Sequence, residues 1–91
     1  MSEKTKTLTK ALTSAIAEYL DQEEAYGDDA MLVIDPDTLT VDLIEEEPAD
    51  AEASPLYYVR VMDLVRMDTE KPGRWLADSE TVAELSRDIL E

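Results

Sequence analysis

The sequence contains no cysteine and no histidine, and these two absences remove several classes of function. Without cysteine there is neither a disulfide framework nor a thiolate metal site. Without histidine, the commonest general base and the usual activator of a serine nucleophile are both missing. The two glycines, Gly27 and Gly73, are too few for either glycine-rich phosphate-binding pattern. We therefore expect no catalytic residue, no cofactor and no metal in this chain.

Long apolar runs are also absent. No run approaches the length needed to cross a membrane, and the start, MSEKTKTLTK, lacks the continuous apolar stretch of a signal peptide. With 91 residues, 44% of them hydrophobic, the chain predicts a single small acidic α+β domain that spans residues 1–91. We expect that domain to be cytoplasmic.

The net charge of −15 is unevenly distributed along the chain. Residues 1–17 have a balance of +2, residues 18–54 have fourteen acids and no Lys or Arg, and residues 55–91 have a balance of −3. A surface of this sign repels nucleic acid phosphates and anionic membranes, and it attracts basic partners. The sequence therefore argues against direct binding of nucleic acid or of a membrane.

Two segments have the apolar periodicity of amphipathic helices. The first covers residues 7–25, and Thr5 or Thr7 is the expected cap. Its apolar stripe consists of Leu8, Ala11, Leu12, Ala15, Ile16, Tyr19 and Leu20. The second helix is expected to start after Asp78 or Ser79. Its inward residues are predicted to be Val82, Leu85, Ile89 and Leu90.

A β-hairpin is predicted between the helices. Residues 31–34 form a short, partly β-branched run, and residues 39–43 alternate apolar and polar side chains. The turn between them, residues 35–38, has the sequence DPDT, in which proline fixes φ and the aspartates can cap backbone donors.

A third strand is predicted to begin at Tyr57 and to alternate through Met62. Residues 63–67 could extend this strand or form a helical turn. A type II turn over residues 71–74 then precedes a short fourth strand. The expected fold is α+β, a three- to four-stranded antiparallel β-meander with N-terminal and C-terminal helices packed on one face, in the order α-β-β-β-(β)-α.

Residues 45–55 form an acidic segment with five acids and no base. Like charges repel, and no apolar side chain is expected to anchor the segment, so we expect it to be exposed and mobile. Its acidity either keeps the domain solvated, which is the usual explanation of a charge run, or forms a surface for a basic partner.

The first predicted helix runs against its own dipole. Its start carries Lys4, Lys6 and Lys10, and its end carries Glu18, Asp21, Glu23 and Glu24. This arrangement favours a surface for a basic partner, although pairing of the lysines with the acidic region would also explain it.

The leading hypothesis is a non-catalytic protein-interaction module. A nucleic-acid (DNA) mimic that occupies the basic groove of a DNA-binding protein is the alternative, and a carboxylate-based hydrolase is a third, weaker one. Oxygen ligands for a hard cation could come from Asp28, Asp29, Asp35 and Asp37. Capping of turns explains these aspartates more simply.

The strand alternation also predicts where a partner would dock. The sheet face that points away from the helices should be partly apolar and ringed by charge, with Tyr58 at its centre. The predicted partner-binding residues are Tyr58, Arg60, Met62, Ile44, Asp42, Glu45, Glu46, Glu47, Asp50 and Glu52. The partner is either a second copy, which forms a homodimer through the open sheet face, or another protein, for which the acidity of residues 18–54 favours a basic one. Alternatively, a loop or the C-terminal segment folds over this face.

Overall fold

The computed structural model describes residues 2–91, apart from the side chains of residues 23 and 24. It confirms the predicted α+β class, with a helix at each end and antiparallel strands between them. The helices are α1 (Glu3–Asp21), α2 (Glu23–Tyr26) and α3 (Ser79–Leu90). The strands are β1 (Met31–Asp35), β2 (Thr40–Ile44), β3 (Tyr57–Arg60), β4 (Val65–Met67) and β5 (Trp75–Ala77). No helix in the described part of the chain is long and apolar enough to span a membrane.

The strand order differs from that of a meander. The main sheet has the order β2-β1-β3, and β4 pairs with β5 in a separate two-stranded sheet. A meander assumes that strands adjacent in sequence are adjacent in space. Here the most apolar strand, β1, occupies the centre, and β2, which carries Thr40 and Asp42, lies at an edge. Polar side chains are better accommodated on an edge strand than on a central one.

One face of the main sheet forms the core. Leu32 lies opposite Leu43 and Val59, so the three side chains share this inner face. Ile34 and Val41 share the same face two residues away. The strand alternation predicts Val41, Leu43 and Val59 to point toward the helices, and this register confirms it for these three residues. The opposite face is called the outer face below.

Helix α1 supplies the other half of the core. Its side chains Leu8, Leu12 and Ile16 are fully buried and pack with the inner face and with α3. The helix begins earlier than predicted, because the hydroxyl of Ser2 accepts a hydrogen bond from the backbone N–H of Thr5. Thr5 is therefore not the cap.

Two hydroxyl contacts join α1 to α3. The hydroxyl of Thr5, which is completely buried, donates to the carboxylate of Glu91. The hydroxyl of Thr9 donates to Ser86 Oγ at 2.9 Å, and Ser86 in turn donates to the carbonyl of Val82. Buried hydroxyls cost stability unless they are hydrogen-bonded, so this interface is fixed in orientation as well as in packing.

Residues 63–67, left open by the sequence, complete a turn and then form a strand, and the prediction that the third strand continues through Met62 is wrong. A 3₁₀ turn, Val61–Leu64, interrupts β3, and its two end residues are buried in the core. The chain then continues as β4 and returns as β5 through the predicted type II turn, in which Gly73 has φ +86°. Asp78 caps α3, as predicted, by accepting a hydrogen bond from Thr81 N.

Tyr19, near the end of α1, contacts Gly27 before β1 and Met62 after β3. Its side chain is 3% exposed, and its hydroxyl donates to the carbonyl of Gly27 at 2.9 Å and contacts Met62 Sδ at 3.6 Å.

Replacement of Tyr19 by Phe should lower the free energy of unfolding by about 0.5–1.5 kcal/mol, because a buried hydrogen bond is lost while the ring is kept. Urea denaturation followed by circular dichroism measures this change. The matched control is Tyr57→Phe, since Tyr57 is 45% exposed. Equal losses in the two variants would show that the hydroxyl of Tyr19 does not stabilise the fold.

Candidate functional site

The acidic segment lies in a connection that has to cross the main sheet. Both β2 and β3 run antiparallel to β1, so they are parallel to each other, with β1 between them. Parallel strands require a crossover connection of about a dozen residues. Residues 45–56 are that connection, and we call them the acidic crossover. It leaves the sheet opposite Met31 and re-enters it opposite Ile34.

The strand order and the burial of two residues indicate that the acidic crossover lies against the outer face. The inner face is already filled by α1, which leaves the outer face as the route. Met31 and Ala51 are each 8% exposed, yet neither belongs to the main core cluster. Met31 points outward because it alternates with Leu32, so its burial requires cover from the outer side. The burial of Met31 thus favours the alternative expectation, in which a loop folds over this face.

The crossover has internal structure. It contains a 3₁₀ turn, Ala51–Ala53, whose backbone bonds include Ala51 N to Pro48 O at 3.1 Å and Ser54 N to Ala51 O at 3.2 Å. The hydroxyl of Ser54 also accepts from Leu56 N at 3.2 Å. The expectation that nothing anchors the acidic segment is wrong at Ala51. A small side chain can be buried without leaving any apolar pattern in the sequence.

The carboxylates of the crossover point to solvent. All five of its acids are exposed, and so is Asp42 on the outer face of β2. Arg60 lies on the same face, and its guanidinium is 3.7 Å from the carboxylate of Asp29. That pair joins two well-exposed side chains, so it contributes little to stability. Most of the negative charge on this side therefore lacks a cation partner among the described residues.

The predicted partner-binding residues divide into three groups. Asp42, Arg60 and the five acids of the crossover are exposed on the outer side. Ile44 and Tyr58 are on the outer face but half-buried, which agrees with cover by the crossover. Met62 is not on this face, because the 3₁₀ turn ends the alternation of β3 and Met62 packs against the main core.

The N-terminal lysines form no ion pair with those acids of residues 18–54 whose side chains the structure describes. Among the side chains that the structure describes, the three lysines of α1 form one ion pair, between Lys6 and Glu3 at 4.0 Å. That pair is within α1 itself. The unfavourable order of charges along α1 is thus not explained by pairing with the described acids of residues 18–54.

Two of the candidate metal ligands belong to the hairpin turn. Asp35 Oδ1 accepts hydrogen bonds from Asp37 N at 2.9 Å and from Thr38 N at 3.4 Å, so the carboxylate of Asp35 caps this turn. The described residues contain no group of three or more carboxylates placed to hold a metal ion.

Comparison of the chain with protein families, with curated proteins and with solved structures finds no match.

An Ala51→Glu substitution should lower the free energy of unfolding by about 1–3 kcal/mol, because it forces a carboxylate into a buried site or lifts the crossover from the sheet. The matched control is Ala53→Glu, which adds the same charge at an exposed position of the same turn. Thermal denaturation of both variants makes the comparison. If both lose the same stability, the crossover is not anchored through Ala51.

Proposed function

We propose that this chain is a non-catalytic, cytoplasmic interaction module that binds a basic partner protein through its acidic outer side. The observation that supports this most is the combination of order and unpaired charge in the acidic crossover. A disordered acidic tail would also keep a protein solvated. A structured segment instead holds in place the backbone that carries the carboxylates, which lowers the entropy cost of recognising a partner.

The solvent exposure of the described acids supports a binding role over a catalytic one. Carboxylate pairs that perform acid–base chemistry depend on burial of one member. The described acids of residues 18–54 are all exposed except Asp35, which is half-buried and caps a turn.

A homodimer through the outer face is the less favoured arrangement. Two copies would each bring a net charge of −15, and their outer sides would repel. The crossover also leaves less apolar surface for self-association than an open sheet would. A partner with a basic surface meets neither obstacle.

Neutralising the five acids of the crossover should weaken binding of a basic probe by at least about tenfold, which is about 1.4 kcal/mol. The variant combines Glu45→Gln, Glu46→Gln, Glu47→Gln, Asp50→Asn and Glu52→Gln. The probe is a fluorescein-labelled, lysine- and arginine-rich peptide, and fluorescence anisotropy at two salt concentrations measures its affinity.

The matched control changes the net charge by the same amount elsewhere on the molecule. It combines Asp63→Asn, Glu70→Gln, Glu80→Gln, Glu84→Gln and Asp88→Asn, all at exposed positions. We expect this control to lose much less affinity than the crossover variant. Equal losses would mean that the probe senses net charge only, and the proposed recognition surface would be wrong.

Competition with duplex DNA separates the interaction module from the DNA mimic. The wild-type chain is titrated against several unrelated basic DNA-binding proteins in the presence of the competitor. A mimic shares its binding site with DNA and is displaced by it. Complexes that persist with DNA bound support the interaction module.

A further inference from the structure

The hydrogen bonds that flank the β4–β5 pair determine which way the backbone of β5 points. Asp78 N donates to Leu64 O at 2.8 Å at one end of the pair. Asp68 N donates to Arg74 O at 2.8 Å at the other end. In an antiparallel ladder the hydrogen-bonded pairs recur at every second residue.

The bonded pair between these ends is therefore Arg66 with Leu76. The backbone N–H and C=O groups of Trp75 and Ala77 then point away from β4, toward the free edge of β5. None of these four groups forms a hydrogen bond with any residue that the structure describes. The edge of β5 is thus a row of available donors and acceptors.

This edge faces a groove of about 540 Å³, which we call the β5 groove. Residues 73–77 form one wall of the groove. The other wall is formed by four α1 residues whose spacing places them on one face of the helix. Side chains of successive strand residues point to opposite faces. A groove on one face of the strand would border every second residue. This groove borders five successive residues, so it runs along the edge of the strand. The α1 residues of the wall are Thr13, Ala17, Leu20 and Asp21.

We propose that the β5 groove binds an extended segment of a partner protein, which adds a third strand in the order β4-β5-partner. An extended backbone satisfies the free groups of Trp75 and Ala77, as in other cases of strand addition. Ala17 is small and exposed, so the α1 wall leaves room for the side chains of the added strand.

The charges and apolar side chains of the groove specify the segment. Leu20 and Trp75 also line an adjoining groove of about 340 Å³, and together they suit an apolar side chain. Asp21 and Asp28 lie on the two grooves and favour a Lys or Arg beside that residue. Arg74 also lines the groove, directly before Trp75, and suits a carboxylate on the bound segment.

A second copy of this chain is disfavoured as the occupant of the groove, because each copy carries a net charge of −15, which opposes association. A single extended segment with a basic residue avoids this repulsion. The β5 groove is separate from the acidic crossover, so this inference does not depend on the function proposed above.

Ala17→Arg should block the β5 groove, because Ala17 is exposed on α1 and arginine fills the space without weakening the helix. The matched control is Ser14→Arg, which adds the same side chain and charge on α1 but in the groove beside β2. The probe is a displayed library of random twelve-residue peptides, selected on the wild-type protein and synthesised. We expect selected peptides to lose at least about tenfold in affinity with Ala17→Arg and much less with Ser14→Arg.

Amide hydrogen exchange with a selected peptide bound gives a readout specific to strand addition. The amides of Trp75 and Ala77 should slow markedly, because they gain hydrogen bonds, while Leu76, already bonded to β4, should change little. A library without binders, equal losses in the two variants, or slowing without this alternation would overturn the proposal. A dimer of the wild-type protein in sedimentation experiments that Ala17→Arg alone disrupts would show that a second copy is the occupant, and would also overturn it.

Discussion

The central position of β1 is the constraint on which the rest of the structure depends. Leu32 and Ile34 are fully buried on its inner face, and burial of each side chain contributes about 1.5–3 kcal/mol. Because β1 is flanked on both sides, β2 and β3 are parallel and their connection has to cross the sheet. Helix α1 packs on the inner face, so we infer that the connection covers the outer face. The placement of the acidic crossover thus follows from the packing of the core.

In this molecule, the residues that hold the fold together are different from the residues that carry the surface charge. The crossover is held by backbone turns and by burial of Ala51, and its carboxylates take no part in either. Helix α1 shows the same separation, since one stripe fills the core while Ala17 and Asp21 line the β5 groove. The exposed side chains of such surfaces can change with little cost to the fold, which is the condition for adapting them to a partner.

Local patterns in the sequence predicted the elements better than their arrangement. The alternation in residues 39–43 identified the inner positions of β2, and Asp78 identified the start of α3, because both signals are local. Strand order depends on which distant segments pair, and no local pattern contains that information. Met62 was assigned to the wrong face because a 3₁₀ turn, invisible to a two-residue period, ends β3. Burial of a single alanine in the crossover likewise gives no periodic signal.

The most direct test of this account is the set of nuclear Overhauser contacts made by the methyl group of Ala51 in solution. A crossover packed on the outer face places this methyl group close to outward side chains of the main sheet, in particular Met31. We expect contacts to Met31 and to its outer-face neighbours. If Ala51 shows none of these contacts, or contacts the inner-face residue Leu32 instead, the crossover does not lie where the strand order requires it.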